Sequence, residues 1–224
     1  MGESLRYIFS GLIPPEKIYV VPNGIDPLKF KVATLEKRTN GKVRICFLSN
    51  LHRTKGFGEV LQAIRILSEK YRIDCTFAGK WINKTDEIET LKYIEKHSLK
   101  NIAKFVGTVK GKGKIDLLAN SDIFVLPTYF KNEGQPWAIL EAMATGLPVI
   151  STDHGCIAET VCDSETGFIV PKRDIYALVM KIEILITMNN LRIQMGKKGR
   201  LRLASMFTED KFIHRLNVVF SELL

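Results

Sequence analysis

The chain has 224 residues, 46% of them apolar, and a formal net charge of +9 at pH 7. This is the composition of a globular protein able to bury one large core or two small ones, which excludes intrinsic disorder. The longest apolar stretches are IFVLP at 123–127 and IYALVMKIEILITM at 175–188, the latter interrupted by Lys181 and Glu183, so no segment offers the roughly 20 apolar residues of a membrane span.

The excess of cations predicts attraction to phosphate, whether on a nucleotide, a nucleic acid or an anionic lipid surface. The start MGESLRYIFS has neither the basic opening nor the unbroken apolar stretch of a secretory signal, so a cytoplasmic location is expected, including the inner face of the membrane. Cys46, Cys75, Cys156 and Cys162 never fall at the two-residue spacing of a zinc knuckle or redox pair and are expected as reduced thiols in or near the core.

In chain order, residues 1–30 are punctuated by Pro14, Pro15, Pro22, Gly24 and Pro27 around one short expected strand, and read as the end of a preceding domain plus a linker. From residue 43 short β-branched runs alternate with helical patterns. VRICFL is followed by the helix FGEVLQAIRILSEKY, then DCTFAG, a helix around 85–98, and IAKFVG. IDLLANS as a helix precedes the strand DIFVLP, the helix PWAILEAMAT, the strand LPVIST, a short helix near 157–162 and the strand GFIV. Strand and helix in alternation imply a Rossmann-like parallel sheet flanked by helices, its strands apolar enough to be covered on both faces, with the ligand at their carboxyl ends. After about residue 172 three consecutive helices are expected, broken at Asn189–Asn190 and near Phe207. The organisation is thus 1–30 linker, 31–206 α/β domain, and 207–224 a C-terminal helix.

Within NEGQPWAILEAMATG, at 132–146, the carboxylate of Glu141 stands in an apolar run, where an unpaired charge is costly. Pro136 suits the first helical position and Gly146 followed by Pro148 marks the end, so a helix is expected over about 136–145. Its N-terminus, preceded by Gly134 and Gln135, points into the ligand crevice and is a place for an anion. Glu133 in the loop and Glu141 in the helix are spaced to span a ligand. As acceptors they match the hydroxyl pairs of sugars on either side of a diphosphate. Two blander readings stand beside this one: Glu141 paired with a lysine or arginine inside the helix layer, and Glu133 as a solvated loop charge.

EGQPWAILEAMATGLPVIST resembles the motif of two glutamates separated by seven residues in retaining glycosyltransferases of family four, which have the two-domain GT-B fold. VVPNGIDPLKF at 20–30 resembles that family's interdomain linker, and ICFLSNLHRTKGF at 45–57 its first strand and phosphate loop. FVGTV at 105–109, SDIFVLPT at 121–128, STDHGCIAETV and GFIV follow in register, so the resemblance covers essentially the whole chain. It implies the domain that binds a nucleotide-sugar donor, with Glu141 on the ribose hydroxyls, Glu133 near the donor sugar and the reaction centre, the backbone of Gly134 and Gln135 at the diphosphate, and Val109 facing the base.

The phosphate loop departs from the family pattern. Asn50 stands where an arginine is common, while Lys55 keeps its place and is expected to stabilise the departing diphosphate. Arg53 is a candidate to replace the missing arginine, with a solvated loop cation as the equal alternative. Pro136 leaves fewer N–H donors than the family's usual residue. No Asp-x-Asp motif is present and the four histidines are scattered, so no metal or other cofactor is expected.

A nicotinamide-dependent oxidoreductase is excluded by the absence of Gly-x-Gly-x-x-Gly after the first strand, where SNLHRTKGFG stands. A nucleic-acid partner is not expected, since KGKGK at 110–114 and RIQMGKKGRLR at 192–202 come with no nucleic-acid-binding motif. Those two patches point instead to peripheral contact with an anionic membrane, where lipid-linked acceptors lie. The expected function is the donor-binding half of an enzyme of surface-polysaccharide synthesis, its glycan or lipid-linked acceptor held by an N-terminal domain absent here, so that the chain alone transfers little. The alternative is a non-catalytic nucleotide-binding or nucleic-acid or membrane-surface module.

Overall fold

The computed structural model describes residues 2–33 and 41–223; most of the expected domain start, residues 34–40, lies outside them. Six strands form one parallel sheet: β1 (Val43–Leu48), β2 (Ile73–Ala78), β3 (Ala103–Phe105), β4 (Ile123–Leu126), β5 (Val149–Thr152) and β6 (Gly167–Val170). Their order is β3-β2-β1-β4-β5-β6, that of a doubly wound sheet, as the alternation predicts. The direction of winding reverses between β1, paired in register from Val43 with Ile73 to Leu48 with Ala78, and β4, paired at Ile45 with Ile123 and Cys46 with Phe124. A crevice outside the carboxyl ends of these two strands follows from that reversal.

The helices are α1 (Phe57–Ser68), α2 (Lys84–Lys96), α3 (Gly111–Ala119), α4 (Trp137–Thr145), α5 (Ile157–Thr160), α6 (Ile175–Thr187), α7 (Asn189–Met206) and α8 (Glu209–Leu223). α1 packs on α6, and α4 packs on α7 and α3, so the sheet is covered on both faces. That is why β4 and β5 are buried at every residue and why Phe47, Phe77 and Phe124 are completely enclosed. The three expected C-terminal helices are present. Asp174 starts α6 by accepting a hydrogen bond from the Ala177 N–H at 2.9 Å.

Two expectations need correction. The short strand within residues 1–30 does not form; 3₁₀ turns occupy Glu3–Phe9, Pro15–Lys17 and Pro27–Lys29, and Ile25 makes a single bridge to Thr208. Prolines 14, 15, 22 and 27 withdraw N–H donors from this stretch, and every strand of the sheet comes from residue 43 onward. Pro136 sits one position earlier than expected, at the N-cap of α4 with ψ 122°, and the helix begins at Trp137.

Cys46 and Cys75 are fully buried and Cys156 nearly so, whereas Cys162 is half-buried. Burial pushes the Cys46 thiol up to about 12 and raises those of Cys75 and Cys156. Because the thiolate is the reactive form, alkylation of the native chain at pH 8 is expected to label Cys162 rapidly and the other three only in denaturant. Mass spectrometry of the labelled chain checks this; rapid native labelling of Cys46 would refute the packing of β1. Among the described residues no helix is long and apolar enough to cross a membrane.

Candidate functional site: a cleft at the carboxyl edge of the sheet

A cleft of about 420 Å³ opens at the switch point. Ser49 and Asn50 enter it after β1, Gly79 and Lys80 after β2, Thr108 and Val109 after β3, and Glu133, Gln135–Ala138 and Glu141 after β4. The β4–α4 loop carries Glu133 inward and then turns into α4, whose N-terminus no side chain caps. Pro136, Trp137 and Ala138 at its start line the cleft, which places the positive end of the helix dipole at the cleft wall.

Glu133 is buried. Its Oε2 accepts hydrogen bonds from Lys55 Nζ and Thr128 Oγ1, each at 2.8 Å. The Lys55 ammonium also lies 4.4 Å from the Phe130 ring centroid. Glu133 is not the solvated loop charge of the blander reading: its side chain is 8% exposed and that of Lys55 15%. His154 Nε2 bonds the Phe130 carbonyl at 2.7 Å, so this histidine secures the same loop. Gly155, at φ +58°, closes on it as well; a Cβ there would stand 2.4 Å from the Glu133 carbonyl oxygen, which only glycine permits.

Glu141 is also buried and its Oε1 accepts from Lys114 Nζ, which reaches across from the first turn of α3. The lysine pairing weighed for Glu141 is thus realised, yet both partners line the cleft rather than the helix interior. Gln135 faces both ways. Its Oε1 accepts from the Asn23 N–H at 2.7 Å and its carbonyl from Asn23 Nδ2 at 3.0 Å, while its Nε2 donates to Thr160 Oγ1 at 3.0 Å. The side chain thereby ties the linker to the start of α4. Gly134 accepts from the Cys156 N–H at 3.0 Å through its carbonyl, and Asn50, Val109 and Pro136 line the cleft.

Arg53 is the candidate that the structure takes away from the cleft. The 3₁₀ turn Arg53–Lys55 sends Lys55 in and Arg53 out, where its Nε donates to Asp86 at 2.6 Å and its Nη2 to Glu89. Those two carboxylates hold the guanidinium above its ordinary range, Asp86 contributing most. It borders a separate cavity of about 300 Å³ with Phe57, Tyr93 and Tyr129. The basic run at 192–202 is likewise no continuous cationic surface. Arg192 donates to the Leu185 carbonyl at 2.6 Å, Arg200 to that of Ala144, and Arg202 to those of Thr160 and Glu159 at 3.0 and 2.7 Å. Among the described residues no group of three or more His, Cys, Asp and Glu is placed to hold a metal.

Sequence reasoning missed Thr128, Lys114, Lys80 and Trp137. Thr128 ends SDIFVLPT beside the switch point and could have been found from its place after β4. Lys114 lay inside a run read as a surface patch.

A doubly wound parallel sheet with two lysine–glutamate pairs, Lys55 with Glu133 and Lys114 with Glu141, in the cleft at its switch point defines a Rossmann-like domain. The chain belongs to the family of glycosyl transferases group 1, which its residues 33–202 match. It is 30% identical over 239 residues to the capsular polysaccharide biosynthesis glycosyltransferase CapM of Staphylococcus aureus, covering 100% of this chain and 61% of CapM. It is 34% identical over 170 residues to the amylovoran biosynthesis glycosyltransferase AmsK of Erwinia amylovora, covering 74% of this chain and 41% of AmsK. The chain therefore spans between about 40 and 60% of these curated relatives. Among solved structures, Anabaena HepE in complex with UDP-glucose superposes with a TM-score of 0.86 at 18% identity, over 99% of this chain and 62% of HepE. The C-terminal domain of the group 1 protein LpcC from Francisella tularensis superposes at 0.72 with 24% identity, over 83% of this chain and 100% of that domain.

Proposed function

We propose that this chain is the donor-binding domain of a retaining glycosyltransferase that takes a nucleoside diphosphate sugar and works in surface-polysaccharide synthesis. The observation that carries the reading is the placement of Glu133 and Glu141 on either side of the uncapped start of α4, in one cleft with Lys55. A diphosphate at that helix end meets backbone N–H groups and the Lys55 ammonium, which together offset its charge without a metal. On one flank Glu141 accepts from the ribose hydroxyls; on the other Glu133 accepts from the donor sugar. Val109 and Thr108 border the side where the base lies. The names of the relatives, in capsule and amylovoran synthesis, support the polysaccharide assignment, and the UDP-glucose complex of HepE supports a nucleotide-sugar donor. The acceptor, a glycan or lipid-linked sugar, belongs to the part of the relatives that this chain does not span.

Calorimetric titration with UDP, GDP and ADP and their sugar conjugates tests the reading. One nucleotide is expected to bind, and Glu141→Ala to weaken it about ten- to a hundredfold, since a hydrogen bond to a charged group contributes about 1.5–3 kcal/mol. No binding by a folded chain would defeat the proposal. Robust sugar transfer by the chain alone would defeat the part that assigns the acceptor site elsewhere.

A further inference from the structure

We propose that Lys114 is a positioning residue of the donor site, setting the Glu141 carboxylate to receive the ribose hydroxyl pair. This rests on the donor-site reading above. Glu141 is the one charged residue of α4 and is buried, with Ile139, Leu140, Ala142, Met143, Ala144 and Thr145 wholly enclosed around it. A carboxylate there needs a charged partner to stay both ionised and fixed in direction. Lys114 meets that need from another helix, 27 residues away in sequence, and bonds Oε1. Its side chain is 29% exposed and that of Glu141 11%, so the pair sits at the wall of the cleft, with Thr108 and Val109 beside it.

The pairing engages one carboxylate oxygen. The other oxygen, and the remaining lone pair of the first, are left to accept from a vicinal diol, which a ribose presents and a deoxygenated sugar does not. Lys114 thus acts on the nucleotide through Glu141. A lysine aimed at phosphate would act on every diphosphate alike, so the two roles separate by the sugar of the probe.

The test uses the full 224-residue chain, titrated with UDP and with 2′,3′-dideoxy-UDP, as the parent and as Lys114→Met, Lys114→Arg and Glu141→Gln. Lys114→Met is expected to weaken UDP about ten- to a hundredfold while changing dideoxy-UDP by less than about twofold. Lys114→Arg restores most of the loss, because arginine keeps a cation and donors at the same carboxylate. Glu141→Gln shows the same selectivity. If Lys114→Met weakens both nucleotides equally, or neither, the inference is overturned. Failure of the arginine variant to recover binding, in a chain with parental thermal stability, overturns it too. If the parent chain binds no nucleoside diphosphate, the donor-site reading falls and takes this one with it. A parent that binds, and responds to Glu141→Gln but not to Lys114→Met, leaves that reading standing and removes only this inference.

Discussion

Lys55→Met is expected to lower both the stability of the chain and its affinity for any diphosphate. The ion pair of Lys55 with Glu133 is largely removed from water, at 2.8 Å with side-chain exposures of 15% and 8%. Removing one partner leaves a buried carboxylate with, among the described residues, only the Thr128 hydroxyl, and breaking such pairs costs about 3–5 kcal/mol. The loss should lie near the lower figure, because the open cleft admits some water to Glu133. Urea unfolding measures it. The double variant Lys55→Met with Glu133→Gln is expected to regain most of the stability, since no unpaired charge remains and glutamine still accepts from Thr128. It should not regain diphosphate binding, because the Lys55 ammonium is gone. A single variant as stable as the parent would show that the pair contributes nothing to the fold; recovery of diphosphate affinity in the double variant would remove Lys55 from the proposed site.

The second large effect lies away from the cleft, at Gly196 in α7. A Cβ built there would stand 2.0 Å from the Gly146 carbonyl oxygen and 2.9 Å from its carbonyl carbon. Gly146 cannot yield cheaply. It ends α4 in the left-handed region at φ +80°, its N–H donating to the Met143 carbonyl at 2.9 Å. Gly196→Ala must push α7 from α4, and overpacking of this kind costs about 1–3 kcal/mol, here toward the upper end because both contacts are backbone. For a chain of this size that is a fall in melting temperature of about 6–12 °C. Gly199→Ala is the control. Its Cβ would meet Met143 and Thr166 at an ordinary 3.8 Å, and alanine suits a helix interior better than glycine by about 1 kcal/mol, so that variant should hold or gain stability. Because α4 carries Glu141, the Gly196 variant is also expected to bind nucleotide more weakly. Equal melting temperatures for the two variants would contradict the close packing of α4 on α7.

Much of this molecule follows from its sequence alone. Alternating apolar strand runs and helical periods determine a parallel sheet covered on both faces, since each pattern is a local consequence of the 2.0 and 3.6 residue repeats. Gly146 and Pro148 end α4, and the strand before it places Glu133 and Glu141 at the sheet edge, both within reach of short-range rules. The side-chain partners were decided elsewhere. Arg53 and Lys55 are two residues apart in one turn and equally cationic, yet Asp86 and Glu89 on α2 draw the first outward while Glu133, after β4, holds the second inward. Lys114 reads in sequence as one lysine of a solvated run, and Arg192, Arg200 and Arg202 as parts of a cationic surface. Packing of α3 on α4 gives the lysine a buried carboxylate, and packing of α7 against α4 and α5 gives Arg200 and Arg202 carbonyl oxygens, while Arg192 finds its own close by at the end of α6. A charged side chain takes the partner with which it loses least on leaving water, and which partner lies within reach is set by helices distant in sequence, so only the tertiary structure could decide it.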